Sequence, residues 1–139
     1  MSPTLRVRAA ALTAATAVTG MSILTLVALA PNAAARGGGG GIIKAGNCSG
    51  STDWKLKVKA DNGALESEFE VDSNRVGQHW TYRIIDNGVT LRLGPATTHA
   101  PSGSFTVRTL SRNRAGADHF VARARNAATH ELCVGSLTF

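Results

Sequence analysis

The sequence predicts an all-β domain, an antiparallel β-sandwich of seven to eight strands closed by one disulfide. Three observations carry that expectation. Two Asn-Gly dipeptides, Asn62-Gly63 and Asn87-Gly88, each sit inside a stretch whose apolar residues alternate with polar ones, the strongest short-range signal for a hairpin. No helical period appears from Ile42 onward. The chain's only two cysteines, Cys48 and Cys133, stand 85 positions apart, near the two ends of that region.

The first 35 residues are a separate matter. Arg6 and Arg8 precede an uncharged run over 9–30, and Ala33-Ala34-Ala35 follows. A basic start, an apolar middle and a small-residue exit form the pattern of a secretory signal, with cleavage after Ala35. The alternative is an uncleaved membrane anchor, because the uncharged run is long enough to span a bilayer. Its many alanines and threonines and its lack of an aromatic belt favour secretion. Beyond it, 36–47 carries five consecutive glycines after Arg36 and reads as a flexible tether, with a short strand at its end, near Ile42 to Asn47. The folded domain is placed at 48–139. In a chain of 139 residues that leaves room for a single domain.

In the first ribbon Trp54, Leu56, Val58 and Ala60 alternate with three lysines, and Leu65, Ser67, Phe69 and Val71 with three glutamates. With Asn62-Gly63 as a two-residue loop, Lys59 falls opposite Glu66, Lys57 opposite Glu68 and Lys55 opposite Glu70. Trp54 then meets Val71, and Leu56 meets Phe69, on the other face. A slip of one residue would destroy both sets of pairs. In the second ribbon, with Asn87-Gly88 as the loop, Ile84 meets Leu91, Tyr82 meets Leu93, and Arg83 faces Arg92. Like charges in direct opposition are unfavourable. Further strands are expected at Ser104–Arg108, with Phe105 and Val107 inward, at Asp118–Arg125, and at Leu132–Phe139. Ala122, Ala124 and Gly135 are small for core positions, which leaves room for something large from the facing sheet, with Trp54 and Trp80 as candidates.

An even cysteine pair in an exported small domain reads as a disulfide. Tying the first strand to the last, it would contribute ~4–5 kcal/mol in the chain-entropy account.

The spacing Gly-x-Asp-x-aromatic-x-Ala-x-Ala in Gly116–Ala124, and Ser102-Gly103-Ser104-Phe105-Thr106-Val107 before it, resemble strands of bacterial immunoglobulin-like modules. The family often continues with a Thr-Gly turn, where this chain has Thr129-His130. The chain after residue 35 also resembles small secreted proteins of high-G+C Gram-positive bacteria of unassigned function. The resemblance implies an immunoglobulin-like fold; it implies no particular ligand.

No catalytic constellation is legible. There is no Gly-x-Ser-x-Gly motif, and Ser102 and Ser104 fall in a turn. His79, His99, His119 and His130 lack ligand spacing, so neither a metal nor another cofactor is expected. Glu66, Glu68 and Glu70 are matched to lysines on a solvated face. Charge is unevenly distributed: 36–72 carries five basic and six acidic residues, whereas 73–139 carries eight arginines and three acids. Arg83, Arg92, Arg108, Arg123 and Arg125 are all outward by strand parity and make up a candidate anion-binding face. Free use of arginine as a solubilising residue is the favoured reading, because aromatic interleaving of the kind that binds single-stranded nucleic acid is missing. The expected function is a secreted, monomeric, non-enzymatic module that binds an extracellular protein or an anionic cell-envelope polymer through loops or a sheet face. The alternative is a small hydrolase or hydrolase inhibitor using Gly94–Pro101 or Ser111–Ala117 as a protruding loop.

Overall fold

Alternation with period two lets each strand bury one face, and the turn residues decide which strands meet. The structure, a computed structural model, describes residues 40–139. It contains eight strands: β1 (Ile42–Asn47), β2 (Asp53–Asp61), β3 (Ala64–Asp72), β4 (His79–Asp86), β5 (Val89–Thr97), β6 (Ser104–Arg112), β7 (His119–Asn126) and β8 (Leu132–Thr138). They form two antiparallel four-stranded sheets, ordered β1-β2-β3-β6 and β5-β4-β7-β8. The chain therefore changes sheet after β3, after β5 and again after β6. The signal-peptide, anchor and glycine-run readings fall outside the described residues, except for the last two glycines. β1 is part of the first sheet, so the folded domain starts before the boundary expected at residue 48.

The first hairpin has the expected register throughout, from Asp53 opposite Asp72 to Asp61 opposite Ala64. Asn62 and Gly63 carry φ of 47° and 83°, both positive as a type I′ turn requires. Asn87 and Gly88 repeat this at 47° and 80°, but the second ribbon departs from expectation. Only Asp86–Val89 and Ile85–Thr90 keep the simple register. A bulge at Leu91 then moves Ile84 opposite Arg92, Arg83 opposite Leu93 and Tyr82 opposite Gly94. The expected Ile84–Leu91, Tyr82–Leu93 and Arg83–Arg92 pairs do not form. The extra residue turns Arg92 toward the gap between the sheets, where its Nε donates to the Tyr82 hydroxyl at 3.2 Å and its Nη1 to the Arg108 carbonyl at 2.7 Å.

Between the sheets lie Leu56, Val58, Leu65 and Phe69 from one side and Trp80, Ile84 and Phe120 from the other, each at most 1% exposed. Phe105 reaches across to Trp80 and Tyr82, with ring centroids 6.2 and 6.5 Å away. The expectation about small residues is half met. A Cβ on Gly135 would come within 2.6 Å of the Trp54 ring, so Trp54 does occupy that space from the facing sheet; its own neighbour in β1, Gly46, leaves room for the same ring, with a Cβ there 2.9 Å away. Trp80 does not, because it belongs to the same sheet as Ala122 and Ala124. Cys48, just past β1, and Cys133, in β8, form the disulfide and join the two sheets. His130 has φ of +61°, the glycine-type conformation, so the β7–β8 turn keeps a left-handed residue without a glycine.

Two outcomes are expected. Emission of the folded protein is blue-shifted by Trp80 and moves to the red on unfolding; a red-shifted folded spectrum would contradict this core. Gly135→Ala, which has to displace the Trp54 ring, costs about 1–3 kcal/mol in a denaturant titration.

Candidate binding face

The sandwich presents two outer faces of different character. On the first sheet β2 supplies lysines and β3 glutamates, and the ladder pairs them. Lys55 is ion-paired to Glu70, which holds its pKa above the ordinary lysine value, and Lys59 pairs with Glu66 at 3.2 Å. Glu68 lies opposite Lys57 but is taken by Arg108 from β6, at 2.6 Å. Charges on this face are largely matched within the protein itself.

On the second sheet they are not. Alternation puts Arg83 of β4 and Arg123 and Arg125 of β7 outward, and all three are exposed. Arg83 and Arg123 are direct cross-strand partners. The like-charge opposition expected inside the second hairpin is therefore present, one strand further across. The row through this pair reads Leu93, Arg83, Arg123, Val134. The next row reads Pro95, Thr81, Arg125, Leu132. Leu93, Leu132 and Val134 are 61%, 43% and 40% exposed, so the arginines are bracketed by aliphatic side chains. A shallow groove of about 140 Å³ runs along this face between Leu93 and Leu132. Among the described residues, none of the three arginines makes a salt bridge, and the outward positions of the four strands carry no acid.

Of the five arginines singled out in the sequence, the structure thus brings Arg83, Arg123 and Arg125 together and separates the other two. Arg108 is on the opposite face, neutralised by Glu68. Arg92 is not outward but reaches across the seam between β5 and β6. Leu93, Leu132 and Val134 are partners that sequence reasoning missed; the bulge hid Leu93, and outward leucine on a strand is unremarkable until it adjoins an unpaired charge.

Other candidates remain apart. Ser102 and Ser104 bond each other at 2.8 Å, while the His79 and His119 rings bond Thr97 and Thr138. The first half of the Gly94–Pro101 segment, to Thr97, is strand β5, and Ser111 and Arg112 belong to β6.

The remaining β6–β7 loop is pinned at the hairpin end. The Asn87 amide donates to Asp118 at 2.9 Å, and the Arg114 guanidinium to Asp86 at 3.1 Å. Burial pushes the Asp86 carboxyl above the ordinary aspartate range, the Asp118 charge adds to this, and Ser111 and Arg114 oppose it.

The fold and face together define a disulfide-tied antiparallel β-sandwich with one sheet whose outer charges are largely paired and one whose outer charges are unpaired arginines; exposed aliphatic side chains occur on both, Ile43 and Leu110 on the first. No protein-family model, curated protein or solved structure matches this chain.

A carboxyl whose pKa is raised on folding contributes stability below its unfolded value and loses it as pH rises through the folded one. Asp86→Asn is therefore expected to gain in melting temperature relative to wild type between pH 3 and pH 7; the opposite trend would mean that the Arg114 pair outweighs burial. Arg123→Thr, which removes the Arg83–Arg123 opposition, is expected to raise stability by ~0.2–1 kcal/mol at low salt, and by less at high salt, in paired denaturant titrations.

Proposed function

We propose that this protein is a secreted, non-enzymatic, immunoglobulin-like binding module whose outer β5-β4-β7-β8 face docks an acidic protein surface. The carrying observation is the Arg83–Arg123 opposition with Arg125 beside it, unrelieved by any acid on the same face. A cost of this kind in the free protein is removed when a partner supplies the missing negative charge. The flanking Leu93, Leu132 and Val134 favour a protein over a polysaccharide or polyphosphate. The centre of a protein interface is more apolar than its rim and enriched in arginine, whereas a polyphosphate has no apolar surface to bury against these side chains. Support for the immunoglobulin-like reading comes from the two four-stranded sheets and the sheet changes after β3, β5 and β6. Support for export comes from the disulfide and from the basic-then-apolar beginning of the sequence.

Pull-down from culture supernatant tests the reading with three forms of the protein: wild type, R83A/R123A/R125A and L93S/L132S. A protein retained by wild type is expected to bind each variant about tenfold or more weakly, and wild-type retention to fall with added salt. Retention unchanged by the triple substitution overturns the proposal. Loss with the arginine set alone, accompanied by salt-sensitive binding of heparin to wild type, would assign the face to a polyanion instead.

A further inference from the structure

At the end of the sandwich opposite the two Asn-Gly bends, the β1–β2, β3–β4 and β7–β8 loops converge around a polar cleft of about 300 Å³. Its walls are fixed before any ligand arrives. In the first loop, Ser49 bonds Leu132 in both directions, at 2.8 and 2.9 Å, beside the disulfide. Thr52 donates from its backbone N–H and its hydroxyl to the two carboxylate oxygens of Glu131, at 2.8 and 3.0 Å. Both oxygens of Glu131 are thereby engaged. In the second loop, the Arg75 carbonyl accepts from the Thr98 hydroxyl at 2.5 Å, and its N–H donates to Ser73 Oγ at 3.3 Å. Gly103 approaches so closely that a Cβ there would lie 2.2 Å from Arg75 N. In the third, the Asn126 side chain accepts from Ala128 and Thr129 at 2.9 and 3.0 Å.

On this rigid frame two groups are left over. The Arg75 side chain is exposed and, among the described residues, makes no salt bridge. Gln78, which lines the same cleft, carries a buried Oε1 that accepts from no group among the described residues. A buried acceptor left unmade is costly; because this Oε1 is closed to solvent, the Gln78 side chain turns into the cleft before a ligand donates to it and recovers that cost. An arginine on a clamped backbone loses little freedom in closing on an anion.

We propose that this cleft binds a carboxylate carrying an N–H or O–H donor on the neighbouring carbon, with Arg75 taking the carboxylate and Gln78 the donor. This site is independent of the outer sheet face. The volume lies at the bottom of the range of roughly 300–1,000 Å³ typical of ligand pockets, so it takes an end group, not a length of chain. Two sources share the chemistry, a peptide C-terminus and a hydroxy or sugar acid.

The test follows backbone and Gln side-chain amide resonances of the protein during titration with N-acetylglycine, with glycolate, and with neutral N-acetylglycinamide. The expected result is saturable shifts at Ser51, Arg75, Gln78 and His130 with the carboxylates and none with the amide. Tighter binding of N-acetylglycine assigns the site to a peptide C-terminus, and tighter binding of glycolate to a hydroxy acid. Arg75→Ala, at an exposed side chain, is expected to keep the spectrum of the folded protein and weaken binding at least tenfold; Gln78→Leu is expected to weaken it and to reduce the preference between the two acids. Equal response to amide and carboxylate, or no saturable response, overturns the proposal. Shifts confined to Arg83, Arg123 and Arg125 also overturn it, and leave the outer-face reading standing.

Discussion

The structure rests on the side-chain period of the β-strand, pinned in phase by Asn62-Gly63. Because successive residues point to opposite faces, setting one pair sets them all. Two residues with positive φ fix Asp61 opposite Ala64, and from there every lysine of β2 is outward and opposite a glutamate. The same phase delivers Leu56, Val58, Leu65 and Phe69 to the interior, all 0% exposed. β6 then adds its own alternation on the far side of β3 in continuous register. Once the first sheet is phased, the second can close on it only with its apolar face inward, which sends Arg83, Arg123 and Arg125 to solvent.

What was legible in the sequence follows from that constraint. Strand positions, the first hairpin's register, the disulfide and the sandwich could be read because each depends on local pattern, turn chemistry or cysteine arithmetic. The second hairpin's register could not. Asn87-Gly88 specifies the bend, but it carries no information about an extra residue four positions later. The bulge at Leu91 is settled by tertiary demand: it lets Arg92 reach the Tyr82 hydroxyl and the Arg108 carbonyl. The sheet of Trp80 is hidden for a related reason. Alternation says that a residue is inward, but not which sheet its strand joins, so a facing side chain and a neighbouring one look alike. The cleft lined by Arg75 and Gln78 left no trace in the pattern, because its three walls are brought together only by topology.

The unequal outer faces gain meaning from comparison with each other. The first sheet shows that this chain can place opposite charges in register across three strands, with Lys55, Glu70, Lys59, Glu66 and Arg108 all engaged. Solubility alone would be served by similar mixing on the second. Instead β4 and β7 set arginine against arginine, with leucine and valine at the ends of the same rows. The two faces thus differ in charge matching, paired on the first and unpaired on the second, while exposed aliphatic side chains occur on both, Ile43 and Leu110 on the first and Leu93, Leu132 and Val134 on the second.

Edge protection bears on the proposal that docking uses a face. An unguarded sheet edge invites strand pairing, and this sandwich has four edge strands. On one side, β5 carries Pro95 and the bulge, both poor templates for an added strand. β6 is long and regular, but the His99 N–H bonds the Ser104 carbonyl and Arg92 covers that of Arg108, so two of its outward carbonyls are already occupied. On the other side, β1 and β8 are held near each other by the Cys48–Cys133 bridge. Edges guarded in these ways disfavour strand addition, and they leave the outer face of the second sheet, with its unpaired Arg83, Arg123 and Arg125, as the surface proposed for docking. Arg92, outward by strand parity alone, is instead an edge residue: its bond to the Arg108 carbonyl covers β6, while Arg83 and Arg123 stand on the outer face of the other sheet.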